Sequence, residues 1–482
     1  MTGKELIEQY KVAPGTWDEM CVDNQVRKQY QQVFNDISDL PVEALLQKDK
    51  LASELFMNQG ITFTVYSDDA GIERIFPFDI IPRILTGAEW DHIQQGITQR
   101  LRALNLFLKD IYSEQQIIKD KVIPAELIAS CPQYTREVHG IKVPHDLYVH
   151  ISGIDLIRSQ DGTFYILEDN LRTPSGVSYM LENREVTKRI FPGMMSSSKV
   201  RMVNNYPLIL HDVLQSLAPQ QLSNPTVAIL TPGVYNSAYF EHTFLARQVG
   251  VPLVEGRDLV VDNHKVYMKT TAGLEQVHVL YRRIDDDFLD PLVFRPDSVL
   301  GVPGLMSAYR KGNIAIVNAV GNGVADDKAV YAYVPDMIKY YLNEDIILPN
   351  VPTYHLEDPD QRQHVFDNIE KMVIKRTNQS GGYGMVMGNK ASEKELNDVK
   401  KTIIETPREF IAQPIIKLST VPCFIDGKLQ PRHVDLRPYA LCGPNGIRIV
   451  PGGLTRVALK EGSLVVNSSQ GGGSKDTWVV DL

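Results

Sequence analysis

Cysteine is scarce, with only Cys21, Cys131, Cys423 and Cys442 in 482 residues and no C-x-x-C pair. That excludes a disulfide framework and the usual zinc spacings, and it fits free thiols in a reducing compartment. No run approaches the ~18 consecutive apolar residues of a membrane-spanning helix. The opening MTGKELIEQYKVAPGTWDEM lacks the apolar core of a secretory signal, so the expectation is a cytoplasmic protein. Long basic blocks are absent and the formal charge is −9, which argues against a dedicated nucleic-acid binder. A small anionic ligand stays open, because a few local cations or a metal would suffice. There is no Walker A loop, and the strand-like NPTVAILTPG lacks the G-x-G-x-x-G turn of a dinucleotide oxidoreductase. No Ser/His/Asp or Cys/His arrangement stands out, and His139, His145 and His150 lack metal spacing and read as structural.

What is present is an ordinary globular composition, 43% apolar and 23% charged, long enough for about three domains. Residues 1–60 read as helices. TGAEWDHIQQGITQRLRALNLFLKDIYSEQQIIKD reads as a long amphipathic helix capped by Thr86 with Glu89 three residues on. Leu101, Leu104 and Leu108 repeat along it at helical spacing. From about 224 short apolar strands alternate with helices, which predicts a parallel α/β unit. Residues 326–411 mix helices with KMVIKR, a glycine-rich loop and EFIAQPII, and the last 70 residues return to strands.

Two segments carry chemistry. In GIDLIRSQDGTFYILEDN, Asp161-Gly162 is the preferred dipeptide of a two-residue type I′ hairpin. With those two at the tip, Asp155 faces Glu168 at ~5 Å between Cβ atoms, where like charges repel. Asn170 lies on the same face. Two carboxylates and an amide oxygen form a ligand set for a hard cation such as Mg²⁺; solvation, or pairing with Arg158 or Arg172, would also relieve the repulsion. The second segment is KMVIKRTNQSGGYGMVMG, a strand ending at Lys375 and followed by a loop whose backbone can approach phosphate oxygens. Together the two segments supply a metal site, a cation and a loop, which are what a nucleoside triphosphate requires.

With these residues the chain resembles ATP-grasp proteins of the circularly permuted type 2 branch, the glutathionylspermidine-synthase-like group. FPFDIIPRILTGAEW, LEDNLRTPSGVSYMLENR, YRRIDDDFLDP and NSSQGGGSKDTWVV carry the likeness across roughly residues 15–480. The permutation shows in the order: lysine and glycine loop follow the metal ligands by some 200 residues. The resemblance implies Mg²⁺ on Asp155, Glu168 and Asn170, and ATP phosphates on Lys375 under a lid of Ser380, Gly381, Gly382, Tyr383 and Gly384. It implies Gln413 and the Ile415 backbone beside adenine, and Arg437 toward the transferred phosphate, with Asp435 as its other conceivable partner. Arg172, Ser175 and Gly176 would lie near the acyl acceptor, and Asn467 would line the same cleft. Apart from the resemblance, Arg282 ends a strand of the α/β unit, where parallel sheets bind ligands, and a solvated charged turn is the other reading. Two departures stand out. Arg376 takes the place of a common proline, and IIKLSTVPC lacks the glutamate that usually meets the ribose.

The resemblance implies a mixed α/β ATP-grasp fold with a Rossmann-like pre-ATP-grasp domain. The expected pieces are 1–205 (N-terminal helices and the metal-binding part of the core), 206–325 (the α/β domain), 326–411 (the lid) and 412–482 (the rest of the core). Residues 60–205 and 412–482 would then share one face. The expected activity is ATP-dependent carboxylate–amine ligation through an acyl phosphate, on small-molecule or peptide substrates. The alternative is an ATP-binding scaffold that performs no ligation. Neither donor, acceptor nor oligomeric state can be read from the residues.

Overall fold

The computed structural model of the protein describes residues 1–23, 25–67, 70–219, 222–378, 384–466 and 472–482, with side chains described outside 63–74. Among these, three larger sheets carry the fold. The largest has nine strands. Its spatial order runs Gly446–Ile449, Tyr439–Gly443, Ile151–Arg158, Lys428–Arg437, Leu454–Val457, Gly473–Val480 and Phe78–Thr86. Thr420–Ile425 adds to Lys428–Arg437, and Phe164–Asn170 adds to Ile151–Arg158. Strands from both ends of the sequence therefore share one sheet, with the hairpin 151–170 seated against the late strand 428–437.

Period-two alternation explains why that sheet is covered on both faces. Val479, Ala440 and Cys442 pack into one core, with the helix Gly87–Ile111. Their neighbours Trp478, Val480, Tyr439 and Leu441 pack into another, with the helix Val177–Ile190. The helix Gly87–Ile111 begins at the expected Thr86–Glu89 capping box, and Leu101, Leu104 and Leu108 are fully buried. Phe78–Thr86 contains Pro82, which a central strand would not tolerate; it lies at the sheet edge, paired among the described residues to Gly473–Val480 alone, and the register slips there between Lys475 and Thr477.

The second sheet is the α/β unit, four parallel strands in the order Ala315–Val317, Val279–Arg282, Val227–Leu230 and Leu253–Val254. Asn318, just past its first strand, joins it to the large sheet. The Asn318 carboxamide accepts from the N–H groups of His150 (2.6 Å) and Ile151 (2.8 Å) and donates to the carbonyls of Leu171 and Arg172 (2.5 and 3.1 Å). Both ends of the 151–170 hairpin are thus tied to the carboxyl edge of the parallel strands, where such sheets hold ligands. The third sheet, Tyr354–His355, Phe410–Pro414, Met372–Arg376 and Val386–Met387, is antiparallel and has its own small core. No helix among the described residues is long and apolar enough to cross a membrane.

Candidate active site

Asp155 does face Glu168, though by a route other than a type I′ turn. Only Gly162 has positive φ at the tip (+85°), and Gly162 N–H donates to the Ser159 carbonyl (3.0 Å) while Ser159 N–H donates to Thr163 (2.9 Å). That is a three-residue loop with its glycine in the left-handed position. It shifts the register by one, so that Leu156 pairs with Ile166, and a bulge at Leu167 shifts it back before Glu168. Two one-residue displacements cancel.

The carboxylate of Asp155 is wholly buried and held by two arginines. Arg437 grips it with two bonds, Nε to Oδ1 at 2.5 Å and Nη2 to Oδ2 at 2.8 Å. Arg456 Nη2 donates to Oδ2 at 2.6 Å and also pairs with Asp435. Against the upward push of burial, these guanidiniums hold Asp155 far below the usual carboxylate range. Position 153 is glycine because the Arg437 side chain lies across it: a Cβ there would come within 2.9 Å of that side chain. Arg437 Nη1 also reaches the Ser175 carbonyl (3.2 Å), which the Tyr439 hydroxyl shares (3.0 Å).

Other acids around the cleft are matched likewise. Asp169 takes both forks of Arg100, Asp326 takes Arg172 Nε at 2.7 Å, and Asp327 takes Arg408 at 3.1 Å. Glu168 differs. Its nearest cation among the described residues is Lys328, at a loose 3.5 Å. Beside it the Asn170 amide nitrogen is buried with no partner among the described residues. Glu168, Asn170 and Arg172 line one small polar cavity with Lys328, Asp326 and Asp327. Among the described residues no three His, Cys, Asp or Glu side chains converge. The donor set that fits a hard cation is therefore Glu168 and Asn170, with Asp155 opposite them sharing its oxygens with arginine.

Lys375 meets this group from the third sheet. Its surroundings desolvate it and push its pKa down to about 8, with Glu168 and Asp155 pulling it up and Lys328 pushing down. The late lysine and the early carboxylates thus feel one another's charge, as the permuted order requires. Its Nζ donates to Gln413 Oε1 at 2.7 Å. An apolar slot of about 110 Å³ opens next to it, walled by Ile157, Leu167, Val351, Met385, Ile416 and Val466. Such a space suits a flat base.

Several expectations need correction. Gln413 is 3% exposed and both ends of its amide are occupied, by Lys375 and by Thr353 Oγ1 (3.0 Å), so it holds the lysine rather than a base. The Ile415 N–H is committed to the Lys371 carbonyl (2.8 Å), leaving its carbonyl for a ligand. Arg282 is fully buried and bonded to the carbonyls of Asn318 (3.0 Å) and Ile284 (2.8 Å) and to Asp286. It braces the loop after Ala315–Val317 and offers nothing to a substrate. Gly176 N–H is spent on buried Glu241 (2.6 Å), while Arg172 also touches Asp285 of the α/β unit (3.3 Å). Gly384 is exposed, and Ser380, Gly381, Gly382, Tyr383 and Asn467 lie outside the described residues. His150 is structural as expected: burial drives its pKa down to about 3.

Sequence reading missed Lys328 and Arg456. Lys328 opens a short helix behind the cap Asp327 and carries no motif. Arg456 had a signal, a cation inside the apolar LTRV strand, which demands a buried carboxylate partner.

Comparison with known proteins decides the family. The model of circularly permuted ATP-grasp type 2 proteins matches residues 82–458. The chain belongs to that family. An uncharacterised Synechocystis protein is 52% identical over 469 residues, covering 97% of this ATP-grasp chain and 98% of its own length. A Mycobacterium tuberculosis relative, also uncharacterised, is 51% identical over 455 residues, or 94% of this chain and 82% of the relative. A Frankia alni protein provisionally named a glutamate–cysteine ligase is 41% identical over 478 residues; the match takes in 98% of this chain but 54% of that one. Among solved structures, a glutathione synthetase-like effector from Globodera pallida in apo form superposes with a TM-score of 0.60 at 11% identity, covering 92% of this chain and 98% of the effector. That likeness supports the ATP-grasp fold.

Proposed function

We propose that the protein is an ATP-dependent carboxylate–amine ligase. The observation that carries this reading is that Lys375, in the wall of an apolar slot, lies within electrostatic reach of the opposed pair Glu168 and Asp155. The slot would take adenine, with the Ile415 carbonyl as a polar contact. Lys375 and Lys328 would hold phosphate oxygens, and Arg437, already at the cleft, would stabilise charge on the transferred group. Glu168 and Asn170, with Asp155, would hold Mg²⁺, which would neutralise charge on the phosphates.

In this reading a substrate carboxylate attacks the γ-phosphorus, giving an acyl phosphate and ADP. An amine then attacks the acyl carbon and expels phosphate, forming the amide. The chain's work is positioning and water exclusion, since an acyl phosphate hydrolyses readily. The Frankia relative suggests glutamate, cysteine and their dipeptides as first substrates. Because only about half of that relative is matched, its named activity can reside in the other half.

The test is ADP release across paired amino acids, short peptides and polyamines, with hydroxylamine as the trap. A hydroxamate formed from one carboxylate without amine supports the ligase. Saturable ATP binding with no ADP across the panel would instead identify a nucleotide-binding scaffold.

A further inference from the structure

A chain of side-chain and backbone contacts runs from the 151–170 hairpin to Lys375. Val351 N–H donates to the Ile166 carbonyl (2.9 Å), two residues before Glu168, and Ile166 N–H donates back to the Pro349 carbonyl (2.9 Å). The Thr353 hydroxyl donates to the Val351 carbonyl (2.9 Å). Its one proton is committed there, so Thr353 Oγ1 can only accept, and it accepts from Gln413 Nε2 at 3.0 Å. The amide of Gln413 is thereby turned with Oε1 toward Lys375 Nζ, 2.7 Å away. The opposite orientation would aim an N–H₂ group at an ammonium.

We propose that Thr353 and Gln413 are positioning residues that hold the Lys375 ammonium in register with Glu168, so that one triphosphate can meet both. The proposal rests on the ligase reading for the identity of the ligand. Gln413 lies in the wall of the slot whereas Thr353 lies behind it, so Thr353 acts only through its neighbour. The relay is neutral and therefore offers no competing anion, and Lys375 is free to exchange one amide oxygen for phosphate oxygens.

The experiment compares ATP with adenosine, both by calorimetry in Mg²⁺ buffer, because adenosine fills the slot without calling on the lysine. Thr353→Val keeps the shape and removes the acceptor. It should weaken ATP by up to about tenfold, the upper worth of a neutral hydrogen bond, and move adenosine by less than about twofold. Thr353→Ser should restore ATP binding. Should the valine variant fail to fold, Gln413→Glu makes the same comparison: its carboxylate would bind Lys375 and repel phosphate, lowering ATP affinity relative to adenosine. Equal losses for the two ligands, or none, would overturn the relay while leaving the ligase reading intact. A wild-type protein that binds adenosine and ATP equally would overturn both.

Discussion

The two ends of the candidate site are built on opposite principles. Around the hairpin, Asp155, Asp169, Asp326 and Asp327 are each matched to arginine, and nearly every polar atom has a fixed partner. The slot is apolar, with Lys375, Gln413 and Asp435 as its polar and charged side chains among the described residues. The difference shows where a ligand's charge must go. In a cleft where aspartates are neutralised by the protein itself, the more loosely paired Glu168 marks the position left for an external cation, and the unsatisfied Asn170 N–H₂ beside it calls for an acceptor such as a phosphate oxygen.

That contrast is sharpest in a pair of substitutions. Glu168→Gln removes a charge whose one ion pair among the described residues, to Lys328, is loose. It should leave the melting temperature within a few degrees of wild type while cutting Mg²⁺-dependent ADP formation by about 10²-fold or more, the scale seen when one electrostatic group is lost from a reacting centre. Asp155→Ala also removes activity, but it takes from buried Arg437 the carboxylate that balances it and should cost about 3–5 kcal/mol of stability. Denaturant melts beside single-turnover assays separate the two. If Glu168→Gln melted as early as Asp155→Ala, the distinction between a protein-balanced and an externally balanced carboxylate would be lost.

Lys375 provides the next test, because its desolvation acts in opposite directions on folding and on binding. In the unfolded chain a lysine keeps its proton to about pH 10.4, whereas in the fold Lys375 begins to lose it near pH 8. Between those values the unfolded state binds more protons, so the lysine's contribution to stability rises with pH. ATP prefers the charged form, so affinity should fall by up to about tenfold per pH unit over the same interval. Measured against Lys375→Met, wild-type stability should gain as pH climbs from 8 to 9.5 while its ATP affinity drops toward that of the variant. A flat difference in both would mean that Lys375 keeps an ordinary affinity for its proton.

How much was legible in the sequence follows the same division. Local and periodic signals were readable: the Thr86–Glu89 cap, the leucine stripe after it, and the alternating α/β unit. The opposition of Asp155 and Glu168 was also readable, though the reasoning through a two-residue turn missed both the longer loop and the compensating bulge. What could not be read was partnership across hundreds of residues. Arg437 and Arg456 reach Asp155 from 282 and 301 positions away, and nothing local to any of the three encodes the pairing. Arg282 read as a ligand-site residue because it ends a parallel strand beside three aspartates, yet it is completely buried on backbone carbonyls. The family resemblance supplied the long-range order that periodicity could not.

The smallest effect belongs to the slot. Met385→Ala removes part of an apolar wall and touches no charge. Losing about one buried methylene's worth of contact, ~0.8 kcal/mol, should weaken ATP and adenosine alike by roughly fourfold and leave the Mg²⁺ dependence of turnover unchanged. Parallel titrations of the two ligands check this. A loss confined to ATP would place Met385 on the phosphate side and erase the boundary between the two ends of the site. An equal loss would show that Met385 acts on the base and not on the phosphates, with ligand charge managed at the hairpin and Lys375.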